Sequence, residues 1–181
     1  MRRQPSDEQL MAAYVRGDDR AFRALFDRYA PALYALVRRR LPSAVDAQDV
    51  VQHALLHLHR ARRDFRTDSR VRPWLFTIAM NLVREHYRRR GRRGEIGLEP
   101  NLAARTPSDP GAALEQRERA ARLRAALAQL PDPQREVIEL HFFGELRYEE
   151  IARIVGAKTG AVRVRAHRGY RRLRQALEAQ L

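Results

Sequence analysis

With 181 residues, the chain has room for one ordinary domain or two small ones. It has no cysteine, which excludes a disulfide framework and a thiolate metal site, and no apolar run approaches the roughly 18 residues of a bilayer-crossing helix. A net charge of +14 calls for an acidic partner, most simply nucleic acid, and the N-terminus MRRQPSDEQL lacks the apolar core of a signal peptide, so a soluble cytoplasmic protein without membrane insertion is expected. Lys158 is the only lysine. A compositional bias accounts for arginine over lysine, but not for the excess of basic over acidic residues. That excess lies in residues 1–95 and 118–181, on either side of a slightly acidic stretch.

Ser6, with Gln9 three residues on, has the spacing of a capping box and opens a first helix. From Asp19 to Leu41, apolar residues at Phe22, Leu25, Phe26, Tyr29, Leu33, Leu36 and Val37 recur at helical spacing, and Pro42 closes the segment. Asp46–Arg63 reads as a further helix with Val50, Val51, Ala54, Leu55 and Leu58 inward. Pro73–Arg90 follows, Pro73 suiting a first helical turn. Leu75, Ile78, Ala79 and Leu82 form its inner stripe, and Thr77, Asn81, Arg84 and Arg88 its outer one. The outer stripe combines hydrogen-bonding groups with cations. Trp74 stands at the edge, open to two readings: a core anchor, or an aromatic platform for an unstacked base. The run Arg88–Arg93 is equally open, as a solvated helix end or a phosphate contact.

Gly94–Gly111 holds Pro100, Pro107 and Pro110, has no helical periodicity and reads as a tether. Helices are expected again over Ala113–Leu130 and Pro133–Phe143, the latter stopped by Gly144. The stretch YEEIARIVGAKTGAVRVRAHRGYRRLR, Tyr148 to Arg174, then forms a helix-turn-helix pattern. Tyr148, Ile151, Ala152 and Val155 share one face of its first helix, Gly156 suits the turn, and Thr159 can cap the second helix. In that second helix Val162, Ala166, Gly169, Tyr170 and Leu173 point inward. Val164, His167, Arg168 and Arg171 point outward, flanked by Arg163 and Arg165. No acid occurs between Lys158 and Arg174. A helix with this face suits a major groove, where arginine forks onto guanine or phosphate and valine meets a thymine methyl. A solvated basic helix capping a bundle is the plainer reading, though such a face usually mixes signs. No strand pattern occurs. The fold class expected is all-α, with two small helical domains, 1–93 and 113–181, joined by a flexible linker, 94–112.

Four segments together resemble a known family, the bacterial extracytoplasmic-function sigma factors of the primary-sigma-like class. DRAFRALFDRYAPALYALVRRRL resembles the first helix of the domain called region 2. DAQDVVQHALLHLHRAR resembles its polymerase-docking helix, RPWLFTIAMNLVREHYRRR the helix that reads and melts the −10 promoter element, and LAQLPDPQREVIELHFFGELRYEEIARIVGAKTGAVRVRAHRGYRRLR region 4, which binds the −35 element. The resemblance implies core RNA polymerase as partner, through the clamp helices of its largest subunit and the flap of its second-largest. Promoter DNA is the second implied partner, and an anti-sigma protein the third. It implies Asp49, Gln52 and His53 at the docking surface, and Trp74, Thr77, Asn81, Arg84 and Arg88 at the −10 element. For the −35 element it implies Thr159, Arg163, Val164, Arg165, His167, Arg168 and Arg171. Glu149 or Glu150 is expected to cap or to pair with Arg165. The chain departs from the family pattern at His53, where glutamate is usual, and at His59, where tryptophan is usual. It departs again at Arg70 in the loop before the −10 helix and at Met80 beside Asn81. These departures imply an altered docking surface and leave the captured base open. No appended sensory domain is expected after Leu173.

Other classes fit less of the chain. His53 and His57 lie one turn apart, but a metal would need a third ligand such as His59 or His141. No Gly-rich phosphate loop, nucleophile elbow or carboxylate pair is legible, so neither enzyme, cofactor nor catalytic residue is expected. A stand-alone helix-turn-helix regulator accounts for Tyr148–Arg174 but not for Asp46–Arg63 or the second basic helix.

Overall fold

The computed structural model describes residues 4–66, 69–92 and 113–179, with residues 113–117 as backbone only. The expected linker, 94–112, lies outside the described residues. The chain divides into two compact units, Met1–Glu99 and Pro100–Leu181. All regular structure among the described residues is helical.

The first unit holds α1 (Asp7–Val15), α2 (Asp19–Arg38), α3 (Ala44–Arg60), a 3₁₀ turn (Arg62–Asp64) and α4 (Val71–Arg92). The capping box forms as the sequence predicts: Ser6 Oγ accepts from the Gln9 amide at 3.2 Å, and Gln9 Oε1 from the Ser6 amide at 2.8 Å. Ser43 caps α3 by accepting from the Asp46 amide, so that helix begins two residues before the predicted start. α2 ends at Arg38, three residues before the predicted end. There Leu41 folds into the core, and its carbonyl accepts from Arg38 Nη1 at 2.8 Å.

Met11, Leu25, Leu33, Leu36, Leu58, Leu75 and Phe76 are among the fully enclosed side chains of this unit. α4 corrects the predicted stripe. It buries Val71, Leu75, Phe76, Ala79, Met80 and Val83, while Ile78 and Leu82 are only half-buried. The physical reason is that α4 packs against α1, α2 and α3, which calls for a wider apolar arc than a single partner would. Phe26, one of the apolar residues at helical spacing in α2, is 44% exposed.

Tyr29 is fully enclosed, edge-on to Phe76, and its hydroxyl donates to Asp7, which also pairs with Arg28. Arg72, in the first turn of α4, lies 5.3 Å over the Tyr29 ring. Burial, then the bond to Asp7, pushes the phenol far above its ordinary 10.0. An acid with a raised folded-state pKa contributes stability that is present below its unfolded value and lost above it. The first unit is therefore expected to lose stability as pH rises past 10, at about 1.4 kcal/mol per pH unit from this group. Alkaline denaturation of the wild type against Tyr29→Phe measures it, the variant showing the shallower pH dependence.

The second unit holds α5 (Ala113–Ala128), α6 (Asp132–Phe142), α7 (Tyr148–Val155) and α8 (Thr159–Glu178). Its core joins Leu127, Leu130 and Ile138 to Leu123 and Leu173, with Val137, Leu140, Ile151, Ile154, Val162 and Ala166 also buried. Gly169 lies flush against Ile138; a Cβ there would come within 2.7 Å of Ile138 Cδ1. At the α6–α7 turn, His141 Nδ1 donates to the Leu146 carbonyl at 2.7 Å, and its ring stacks on Tyr148. A Cβ on Gly144 would stand 2.5 Å from the Leu140 carbonyl oxygen, a backbone atom that cannot swing away. Gly144→Ala is expected to cost the second unit about 1–3 kcal/mol, read as a lower midpoint in denaturant.

Candidate nucleic-acid interface

The helix-turn-helix is built from α7, a three-residue turn and α8. Gly156 takes φ +64 and ends α7 in the left-handed region, where a side chain would be strained. Glu150 is buried and holds the entry to α7: its Oε2 accepts from the Arg147 amide at 2.8 Å, and its Oε1 meets the Arg147 guanidinium at 3.3 Å. Three expectations are corrected here. Thr159 does not cap α8; Lys158 occupies the cap position without a side-chain bond, and Thr159 is the first helical residue. Tyr148 and Val155 are half-buried, while Glu150 and Ile154 complete the inner face of α7, because the glutamate is spent on capping. Tyr170 is 38% exposed, since Gly169 takes the place closest to α6.

The outward face of α8 carries Arg163, Val164, His167, Arg168 and Arg171, all exposed, with Arg165 half-buried beside them. Val164 is 49% exposed, an apolar side chain presented among the cations of that face. Arg165, the predicted partner of an acid, is not the one engaged. Glu149 Oε1 instead accepts from Arg163 Nη2 at 2.8 Å. Its own backbone N–H, then Arg163, holds the Glu149 carboxyl below the usual carboxylate range. The pair is therefore ionised at neutral pH, and is lost only as pH falls through that lowered value.

In the first unit, α4 carries the second set. Trp74 is half-buried and tilted against Phe65, ring centroids 5.2 Å apart. It is neither enclosed in the core nor fully free; one side of the indole is packed. Asn81 is exposed and its Oδ1 accepts from Arg84 Nη1 at 3.0 Å. Thr77 spends its hydroxyl on the Pro73 carbonyl at 2.6 Å, within its own helix, and is half-buried. Arg88 is exposed in the last turns of α4, beside Arg89 and Arg92. Phe65 lies between the 3₁₀ turn and α4, outside any helical stripe, so spacing does not point to it.

On α3, Asp49, Gln52 and His53 are exposed together on one ridge, with Gln48, Leu56 and His57. The ridge separates two clefts. On the α2 side lies an apolar groove of about 680 Å³, lined by Phe22, Phe26, Tyr34, Val51, Leu55 and Leu56, with Gln52 at its rim. On the α4 side Asp49 and His53 line a polar cleft with Asp46, His57, Glu85 and His86. The three predicted residues are thus neighbours that face different clefts. Helical spacing does not reveal the apolar groove, because Phe22 and Phe26 share the apolar period of the enclosed Leu25 and Tyr29. His59 closes its end, hydrogen-bonded to the Tyr14 hydroxyl, and Arg62 donates to the His59 carbonyl at 2.7 Å. Among the described residues, no group of three or more His, Asp or Glu is arranged to hold a metal ion, and no helix is long and apolar enough to cross a membrane.

Two helical units, each with an outward polar and cationic helix, define a class of DNA-binding transcription protein. Residues 25–93 match sigma-70 region 2, and residues 120–173 match sigma-70, region 4. The chain is 33% identical to the RNA polymerase sigma-H factor of Pseudomonas aeruginosa, covering 98% of this chain and 97% of that one. It is also 33% identical to the ECF RNA polymerase sigma-E factor of Escherichia coli, covering 93% and 92% respectively. Among solved structures it resembles CnrH in complex with the cytosolic domain of CnrY (TM-score 0.71, 29% identity, 98% of this chain and 100% of that one). It also resembles the sigma factor RpoE of Bartonella quintana in complex with the anti-sigma factor NepR (TM-score 0.71, 28% identity, 87% and 96%). The chain belongs to the sigma-70 family, in its extracytoplasmic-function branch. It is accordingly a sigma factor, which binds RNA polymerase and promoter DNA to initiate transcription.

Proposed function

We propose that the two outward helices divide the promoter between them: α8 reads the −35 duplex and α4 captures unstacked bases of the −10 element. The observation that carries this is the pairing, in one chain, of a helix-turn-helix whose exposed face is cationic with a second helix offering Asn81, Arg84 and Arg88 beside a half-packed tryptophan. Arg163, Arg165, Arg168 and Arg171 supply guanidinium forks to guanine and phosphate, Val164 an apolar contact, and Thr159 and His167 the flanking polar contacts. Trp74 stacks on a base with its open side, Asn81 hydrogen-bonds the flipped edge, and Arg84 and Arg88 take phosphates. Capture of a base favours strand separation, so melting needs no bond made or broken by this subunit.

The α3 ridge docks on the clamp helices of the largest polymerase subunit, with Asp49, Gln52 and His53 at the contact and the apolar groove beside them. The second unit engages the flap of the second-largest subunit, and the segment 94–112 serves as the linker between domains 1–93 and 113–181. An anti-sigma protein covers the same groove when the factor is held inactive; one solved neighbour is a sigma factor bound to an anti-sigma factor, and another is CnrH bound to the cytosolic domain of CnrY. The factor acts in the cytoplasm, without a cofactor. Mobility-shift titration of promoter duplex tests the division of labour. Tight sequence-specific binding is expected only in the presence of core enzyme, whereas equally tight specific binding by the chain alone contradicts it.

A further inference from the structure

We infer that Glu149 is a positioning residue for the recognition helix: it fixes the Arg163 guanidinium against the start of α7, and so sharpens base preference at one position of the upstream element. The inference rests on α8 being the upstream-element helix. Among the described residues, Arg165, Arg168, Arg171 and Arg172 enter no ion pair. Arg163 differs. Its Nη2 is bound to Glu149 Oε1 at 2.8 Å, across the turn that joins α7 to α8. The bond links two helices, so it sets the direction of the side chain relative to the whole motif rather than along its own helix.

Both side chains are largely exposed, 63% for Arg163 and 50% for Glu149, and an exposed pair adds little to folding. Its consequence lies at the DNA. A guanidinium has five N–H donors, and one bond to Glu149 leaves the others for a base edge. Holding the fork in one direction removes rotamer freedom before binding, which favours the one register in which a guanine meets it. The carboxylate has the opposite effect on indifferent contacts. It places a negative charge beside an otherwise cationic face, so phosphates in wrong registers are met less favourably. Glu149 thus lowers affinity for arbitrary DNA and raises discrimination.

Full-length chain reconstituted with core RNA polymerase, as wild type, Glu149→Gln, Arg163→Ala and the double variant, is selected on promoters randomised across the upstream element. Thermal melts of each chain accompany the selection. Arg163→Ala is expected to flatten preference at one base pair. Glu149→Gln is expected to flatten the same base pair while raising affinity for random duplex about two- to fivefold, and the double variant to be no flatter than Arg163→Ala. An unchanged Glu149→Gln profile overturns the inference, whatever its melting temperature. So does a change at a different base pair or one that persists without Arg163, since Glu149 would then touch DNA itself. If Arg163→Ala also leaves the profile untouched, the assignment of Arg163 to the upstream element fails, and the inference with it.

Discussion

Arg168→Ala is expected to weaken binding of the upstream element by about 1–3 kcal/mol and to relax preference at one base pair. The side chain stands one turn beyond Val164 on the exposed face of α8, three residues before Arg171. It enters no ion pair among the described residues, so its removal leaves no buried charge and alanine keeps the helix. A loss of binding in this variant would therefore report a DNA contact rather than a change of fold. Arg171→Ala offers the contrast. Should Arg171 take a phosphate, its loss weakens every duplex alike and lowers the salt slope by about one unit. Equilibrium binding of holoenzyme to matched and mismatched upstream elements at fixed salt separates the two. Equal losses on all sequences remove Arg168 from base reading.

Asn81→Ala is expected to spare the closed complex and to reduce open complex by on the order of 1–2 kcal/mol, roughly tenfold. The amide is exposed, and its Oδ1 accepts from Arg84 at 3.0 Å. Under the proposed capture role, the double-stranded promoter offers it no unpaired edge, and contact arises only once a base leaves the stack. That timing separates binding from opening. Permanganate reactivity of unpaired thymines measures opening, and a mobility shift on ice measures the closed complex. Equal loss of both contradicts a capture role for Asn81.

Much of this was legible in the sequence because helices announce themselves locally. The Ser6 capping box, Pro73 in the first turn of α4 and the inner residues of α3 stand where their spacing put them. What escaped depends on how many neighbours a helix has. α4 touches three other helices and buries Phe76 and Met80, so its stripe could not be drawn from period alone. Phe26 keeps the helical spacing of a core residue yet lines an open groove, because nothing in a period tells a core from an exposed groove. The capping role of Glu150 and the Glu149–Arg163 pair depend on the geometry between helices. Composition limited the basic face correctly but could not say which arginine an acid would hold.

The most direct test of the central claim is run-off transcription with core RNA polymerase on a library of promoter fragments, with and without this protein. New transcripts from a defined subset of fragments, sharing an upstream and a downstream element, are predicted. A core enzyme whose transcripts do not change, while the chain alone binds specific duplex, would contradict the account and identify a stand-alone DNA-binding regulator.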